Sequence, residues 1–288
     1  MYDPDARRRD ALRQRLEVLL RADPDRDRRI ARRELPVCAW LDARHQRRDA
    51  RVVAVNGPQG SGKSTLCALA VEALGAVGVR AVTVSIDDFY LPFADQRALA
   101  ASYPGDPFLE HRGYPGTHDV TLGAAVIDAL RDDRGEGVRV PVYDKAAYGG
   151  RGDRGGWRTV RGPFDLVLVE GWMLGFAPVP MEALAHPGLA AANALLGAYS
   201  AWNARCDALV HLVMADPNSV VDWRIDAERA RRAAGAPGLT DAEARDYVER
   251  FLPAYATWVG PLLENPAVVG PRLVLTLGDD RLPIAPPG

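Results

Sequence analysis

Gly57-Pro-Gln-Gly-Ser-Gly-Lys-Ser64 sets three glycines, a lysine and a hydroxyl at the spacing of a loop that wraps a polyphosphate. Gly57, Gly60 and Gly62 let the backbone turn its N–H groups inward, with Gln59 and Ser61 between them. Lys63 supplies a compact charge between β- and γ-phosphates. Ser64 offers a hydroxyl to Mg²⁺, and Thr65 offers one to phosphate. Of 36 basic residues only Lys63 and Lys145 are lysines. A chain that uses arginine almost everywhere keeps an ammonium where a planar guanidinium does not fit. The spacing predicts a nucleoside triphosphate site.

Four further groups bear on what happens to the phosphate. Phe164-Asp-Leu-Val-Leu-Val-Glu170-Gly171 reads as a buried strand ending in an acid, where ligands sit in open α/β sheets. Glu170 is then a partner of Mg²⁺ or, more plainly, a solvated strand-end carboxylate. Ser85-Ile-Asp-Asp-Phe-Tyr90 closes another strand. Neighbours leaving a strand point to opposite sides, so one of Asp87 and Asp88 faces the reaction, unless both merely cap the turn. A carboxylate there would orient an acceptor hydroxyl and take its proton.

Val140-Pro-Val-Tyr-Asp-Lys145 leads into a glycine-rich stretch with Arg151 and Arg154, which either grips a small anion or is a solvated loop. His118 lies in Gly116-Thr-His-Asp119, where Thr117 or Asp119 equally serves as a helix cap. Between 222 and 232, Arg224, Arg229, Arg231 and Arg232 lie on a basic helix before Gly235-Ala-Pro-Gly238. They suit an arginine-bearing lid that neutralises transition-state charge, or simply a solvated face.

These side chains need a scaffold. From residue 51, apolar runs at 51–56, 81–86, 138–142, 165–170, 208–214 and 272–277 alternate with helical stretches at 64–74, 122–130, 189–205 and 219–234. A capping box at Thr240-Asp-Ala-Glu243 opens another helix, expected to run to about 257. The alternation predicts an α/β fold, a parallel sheet with helices on both faces. Stretches 103–117 and 146–163 read as long loops. Residues 1–50 carry 14 arginines and 10 acidic residues, with Leu12, Leu16, Leu19 and Leu20 at helical spacing. They predict an N-terminal helical extension, helices near 6–21 and 26–44, packed on a kinase-like domain over 51–288.

Composition excludes several classes. A net charge of −2 argues against a nucleic-acid binder. No apolar run reaches the roughly 20 residues of a membrane helix. Cys38, Cys67 and Cys206 lack metal or disulfide spacing, which fits a cytoplasmic protein, and the absence of a heptad seam makes a monomer the default.

Taken together, Gly57–Thr65, Ser85–Leu91, Gly116–Asp119, 141–154, 170–176 and 223–255 resemble the plant- and fungal-type D-glycerate 3-kinases, within the phosphoribulokinase, uridine kinase and pantothenate kinase class of P-loop kinases. The likeness spans roughly 36–282. It implies use of ATP with Mg²⁺, a small hydroxy acid as substrate, and a helical lid at about 223–238. It places the base on Asp87, with Lys63, Arg224 and Arg231 beside it, and the metal on Ser64 and Glu170. Tyr90, His118, Tyr143, Lys145, Arg151 and Arg154 are then the expected acceptor-binding set. The turn at 235–238 departs from the pattern, since a lysine is expected there.

Overall fold

The computed structural model describes residues 4–235 and 238–285. Its centre is a five-stranded sheet in the order β2-β5-β1-β6-β7: β1 Val52–Asn56, β2 Ala81–Ser85, β5 Leu166–Gly171, β6 Ala208–Met214 and β7 Arg272–Leu277. Every pairing in it is parallel. Burial follows the order. β1, β5 and β6 are buried at every position, because both faces are covered, whereas the edge strands β2 and β7 alternate. β1 sits between β5 and β6, so the crevice at its carboxyl end is the place where this topology seats a ligand.

The remaining pair, β3 (Val138–Asp144) and β4 (Asp153–Val160), forms a separate antiparallel ribbon with an irregularity at Val142/Tyr143. This corrects two expectations. The 138–142 run is not a strand of the parallel sheet, and 146–163 is not all loop. Gly155 and Gly156 mask the alternation of β4, and Pro141 belongs to a ribbon rather than a buried strand.

Helices flank the sheet. α1 (Pro4–Leu19) buries Leu12 and Leu16, with Leu20 buried in the turn after it, and packs against α3 (Leu35–Arg47) and α4 (Lys63–Gly75). A short α2 (Arg26–Arg29) runs through a π-helical turn, Ile30–Glu34, into α3. Glu34, with no side-chain exposure, accepts from both Arg29 and Arg33. α4 packs on β1, β2 and β5. α5 (Phe93–Ser102) lies where no helix was expected. α6 (Val120–Asp132) is capped by Asp119, whose carboxylate accepts from Leu122 N at 3.0 Å. Thr117 is not the cap: its hydroxyl bonds Tyr114 O and Gly113 N instead.

The single helix expected over 189–205 is broken into α7 (Ala190–Leu196) and α8 (Ser200–Asn203) by a 3₁₀ turn at Gly197–Tyr199. α9 (Ser219–Ala233) precedes the turn whose Ala236 and Pro237 lie outside the described residues. Thr240 and Glu243 form the capping box. It opens α10 (Asp241–Glu249), which ends before a second helix, α11 (Leu252–Glu264), so 240–257 is two helices rather than one. The three cysteines are free and buried. No helix among the described residues is long and apolar enough to cross a membrane.

Candidate active site

β1 delivers the chain to Gly57 at the carboxyl edge of the sheet, and α4 begins at Lys63. Gly60 and Gly62 between them have φ of +77° and +83°, which β-carbon-bearing residues rarely adopt. At Gly60 a Cβ would also lie 2.8 Å from the Cβ of Trp223. The loop and α9 are therefore packed backbone to side chain. Tyr255 adds a strut from α11, its hydroxyl accepting from Gln59 N at 3.2 Å.

Glu170 ends β5 beside the loop. Ser64 Oγ donates to its Oε1 at 2.9 Å, and Lys63 Nζ is 4.0 Å from its Oε2. Glu170 is 4% exposed, and Oε2 has no hydrogen-bond partner. A buried charged oxygen without a partner is costly unless something fills the gap. Ser64 and Glu170 are hard oxygen donors of the kind Mg²⁺ takes from protein, sparingly, alongside phosphate and water. No cluster of three or more metal-ligating side chains occurs among the described residues.

A cavity of about 540 Å³ opens from the loop. Lys63, Ser64, Asp87, Tyr90 and Lys145 line it, together with Arg224 and Arg231 of α9. Its lining holds five cations against two carboxylates, Asp87 and Glu228, so it favours anions. Asp87 reaches it from the 3₁₀ turn Ile86–Phe89 after β2, where the Ser85 hydroxyl accepts from Asp87 N at 3.3 Å. Lys145 follows β3, and its Nζ lies 2.6 Å from Asp87 Oδ2.

Burial pushes the Asp87 carboxyl up. The adjoining Lys145 ammonium outweighs this, with help from Lys63, and holds it at about 2. Asp88 does not line the cavity. Burial lifts its carboxyl, and its neighbours are Arg158 and the Tyr143 backbone. A second cavity, also about 540 Å³, lies on the other side of the loop, between Thr65, Ala227 and Ala230 of α9, Arg33 and Arg281.

The structure separates the expected acceptor set. Tyr90 and Lys145 line the cavity, whereas His118, Tyr143, Arg151 and Arg154 do not. His118 pairs with Tyr90 through a β-bridge and stacks behind its ring at 4.3 Å, with Nδ1 2.7 Å from the Tyr199 hydroxyl. Burial lowers its imidazole to about 3, so it is neutral. Tyr143 packs edge-on against Tyr90. Arg154 pairs with Asp119 at 3.4 Å and leans on Trp157, and Arg151 is exposed. His118 and Tyr143 thus pack against the Tyr90 ring rather than lining the cavity.

Among the lid arginines, Arg229 and Arg232 turn away to Asp241 at the start of α10. Arg224 stays on the cavity, paired with Glu228 at 2.7 Å and lying over the Tyr247 ring. Sequence reasoning missed Arg112. Its guanidinium donates to the carbonyls of Gly150, Arg151 and Lys145, so it staples the loop that presents Lys145. It missed Trp172 and Tyr247 as lining residues too.

A parallel sheet in this order, with a phosphate loop after its central strand and an acid at the end of the neighbouring one, defines a P-loop kinase. No family profile matches the chain. It is 39% identical over 239 residues to a chloroplastic D-glycerate 3-kinase of Arabidopsis thaliana, covering 80% of this chain and 52% of the plant protein, about half its length. It is 34% identical to an uncharacterized kinase of Schizosaccharomyces pombe, covering 81% of this chain and 90% of that one. The solved D-glycerate 3-kinase of Cryptococcus neoformans superposes with a TM-score of 0.78 at 28% identity, over 86% of this chain and 96% of its own. The chain belongs to the same family of P-loop kinases as these relatives.

Proposed function

We propose that the chain transfers the γ-phosphoryl group of ATP to the 3-hydroxyl of D-glycerate, giving 3-phosphoglycerate and ADP. One observation carries the reading: the only other lysine of the chain and a strand-end aspartate meet in the cavity into which the phosphate loop opens. The triphosphate lies along Gln59–Thr65, with Lys63 on its β- and γ-oxygens. The nucleoside leaves on the Thr65 side, into the second cavity.

The acid's carboxylate is held by Lys145, on the loop that Arg112 fixes. Its 3-hydroxyl is then directed at the γ-phosphorus, and Asp87 receives the proton as the new P–O bond forms and the bond to ADP breaks. Arg224 and Arg231 neutralise charge on the moving group. Ser64 and Glu170 would hold Mg²⁺, which when bound offsets charge on the β- and γ-oxygens. Positioning and charge compensation provide most of the acceleration, because a loose phosphoryl transfer needs little covalent help.

Two features support a small acid over a nucleoside. The lining is cationic, and the Tyr247 ring already carries the guanidiniums of Arg224 and Arg250 at 4.8 and 4.6 Å rather than standing free to stack a base. A cytoplasmic setting suits three buried, unpaired thiols. The test is coupled ADP release with D-glycerate, L-glycerate, uridine and pantothenate as acceptors. D-glycerate is expected to lead. Brisk turnover of uridine with none of glycerate overturns the proposal.

A further inference from the structure

The ammonium assigned to the acceptor is already paired within the protein. Lys145 Nζ lies 2.6 Å from the carboxylate assigned as base, and the two side chains are 57% and 31% exposed. They meet on the cavity side, where an incoming molecule reaches both. Arg112 fixes the backbone of the Lys145 loop through three carbonyls, so only the flexible lysine side chain needs to move. Two carboxylates, one of the protein and one of the acceptor, therefore compete for a single ammonium.

We propose that this ion pair is a substrate-operated latch: Lys145 keeps Asp87 inactive until the carboxylate of the acceptor draws the ammonium away, and the freed Asp87 then accepts the hydroxyl proton. The inference rests on the acceptor reading above and adds to it how the site distinguishes a hydroxy acid from a neutral polyol or water.

The surroundings of Asp87 supply the driving force in both directions. Lys145, from the loop after β3, is its direct partner, Lys63 of α4 adds to its depression, and His118 before α6 lies near it as a neutral ring. Tyr90 adjoins it, while Arg112 and, from α10, Tyr247 act on Lys145 and Tyr90 in turn. A carboxylate held near 2 is a feeble base. Removing the ammonium takes away the largest influence that lowers it, so the carboxyl rises. Water or glycerol entering a cavity that holds no acid meets the latched, inactive form, and ATP is spared. An acid opens the latch with one end and presents its hydroxyl with the other.

The test uses D-lactate, which keeps the carboxylate but lacks the 3-hydroxyl. In the intact protein it should raise ATP hydrolysis at least about fivefold over buffer, because water takes the vacant place, gives its proton to Asp87 and forms inorganic phosphate and ADP. D-lactamide and 1,2-propanediol should leave hydrolysis at background. Lys145→Met should lose glycerate turnover by about 100-fold yet release ADP faster than wild type in glycerol or buffer.

Carbon-13 NMR of the Asp87 carboxyl, assigned with Asp87→Asn, should show its titration moving upward by at least about one unit when D-lactate is added to wild type, a readout that survives if the Lys145 variant does not fold. Glycerate turnover with no lactate stimulation and an unmoved carboxyl overturns the latch alone. Absence of glycerate turnover in wild type instead overturns the acceptor reading beneath it.

Discussion

Ser64 and Glu170 join the first turn of α4 to the last residues of β5 through a 2.9 Å hydrogen bond, leaving the other Glu170 oxygen buried and without a partner. Glu170→Gln keeps the bonding shape and removes the charge. Turnover is expected to fall by more than about 100-fold, while nucleotide binding measured without Mg²⁺ changes little. Calorimetric titration with and without Mg²⁺ checks both halves, and equal losses in the two would show a merely structural carboxylate.

Asp87→Asn should lower kcat by more than about 100-fold with little change in ATP affinity, since the amide keeps the shape and cannot take a proton. Steady-state kinetics at saturating acceptor decide it. Near-normal turnover removes Asp87 from the base role.

Gly60→Ala sets a methyl group against Trp223 in a left-handed backbone. We expect a loss of roughly 1–3 kcal/mol in stability and a larger loss in nucleotide affinity, because relief of the clash moves the loop amides. Urea unfolding and fluorescent-nucleotide titration separate the two effects.

His118 and His211 are 5% and 2% exposed, and burial lowers them to about 3 and about 4, with Arg272 also acting on His211. In the unfolded chain they charge below about 6.5, so the unfolded state takes up protons that the fold refuses. Their contribution is intact above pH 6.5 and declines as pH falls toward 4 and then 3. At pH 5 the cost is roughly 2 kcal/mol each. Urea midpoints at pH 7.5 and 5 should diverge less in His211→Leu than in wild type.

Glu34→Ala would leave Arg29 and Arg33 without their shared carboxylate, Arg33 having only 5% of its side chain exposed. A cost of about 3–5 kcal/mol is expected, read as a drop in unfolding midpoint. Adding Arg33→Met should recover part of it, since an uncharged side chain has no such need.

Much of this was legible along the chain. The phosphate loop and its acid are local patterns, and the strands that carry them read as continuous apolar runs. Asp87 was legible as a strand-end carboxylate, but its pairing with Lys145 joins residues 58 positions apart and no pattern announces it. Arg112 was invisible for a different reason. One arginine among so many carries no signal, and its work is done on backbone carbonyls 33 to 39 residues away. Motif residues such as His118 and Tyr143 lie beside the cavity rather than in its lining, which no local pattern foretells. Whether a side chain faces a ligand or supports one that does is decided by the stacking of rings in three dimensions.

Arg33 donates to the carbonyl of Arg281 at 2.9 Å and approaches that of Ser61 at 3.4 Å. A residue made early in synthesis thus completes its bonding around the phosphate loop only after one made about 250 positions later. During translation the phosphate loop lacks that brace until Arg281 has emerged. Any ATP that meets the growing chain before then finds the loop without it.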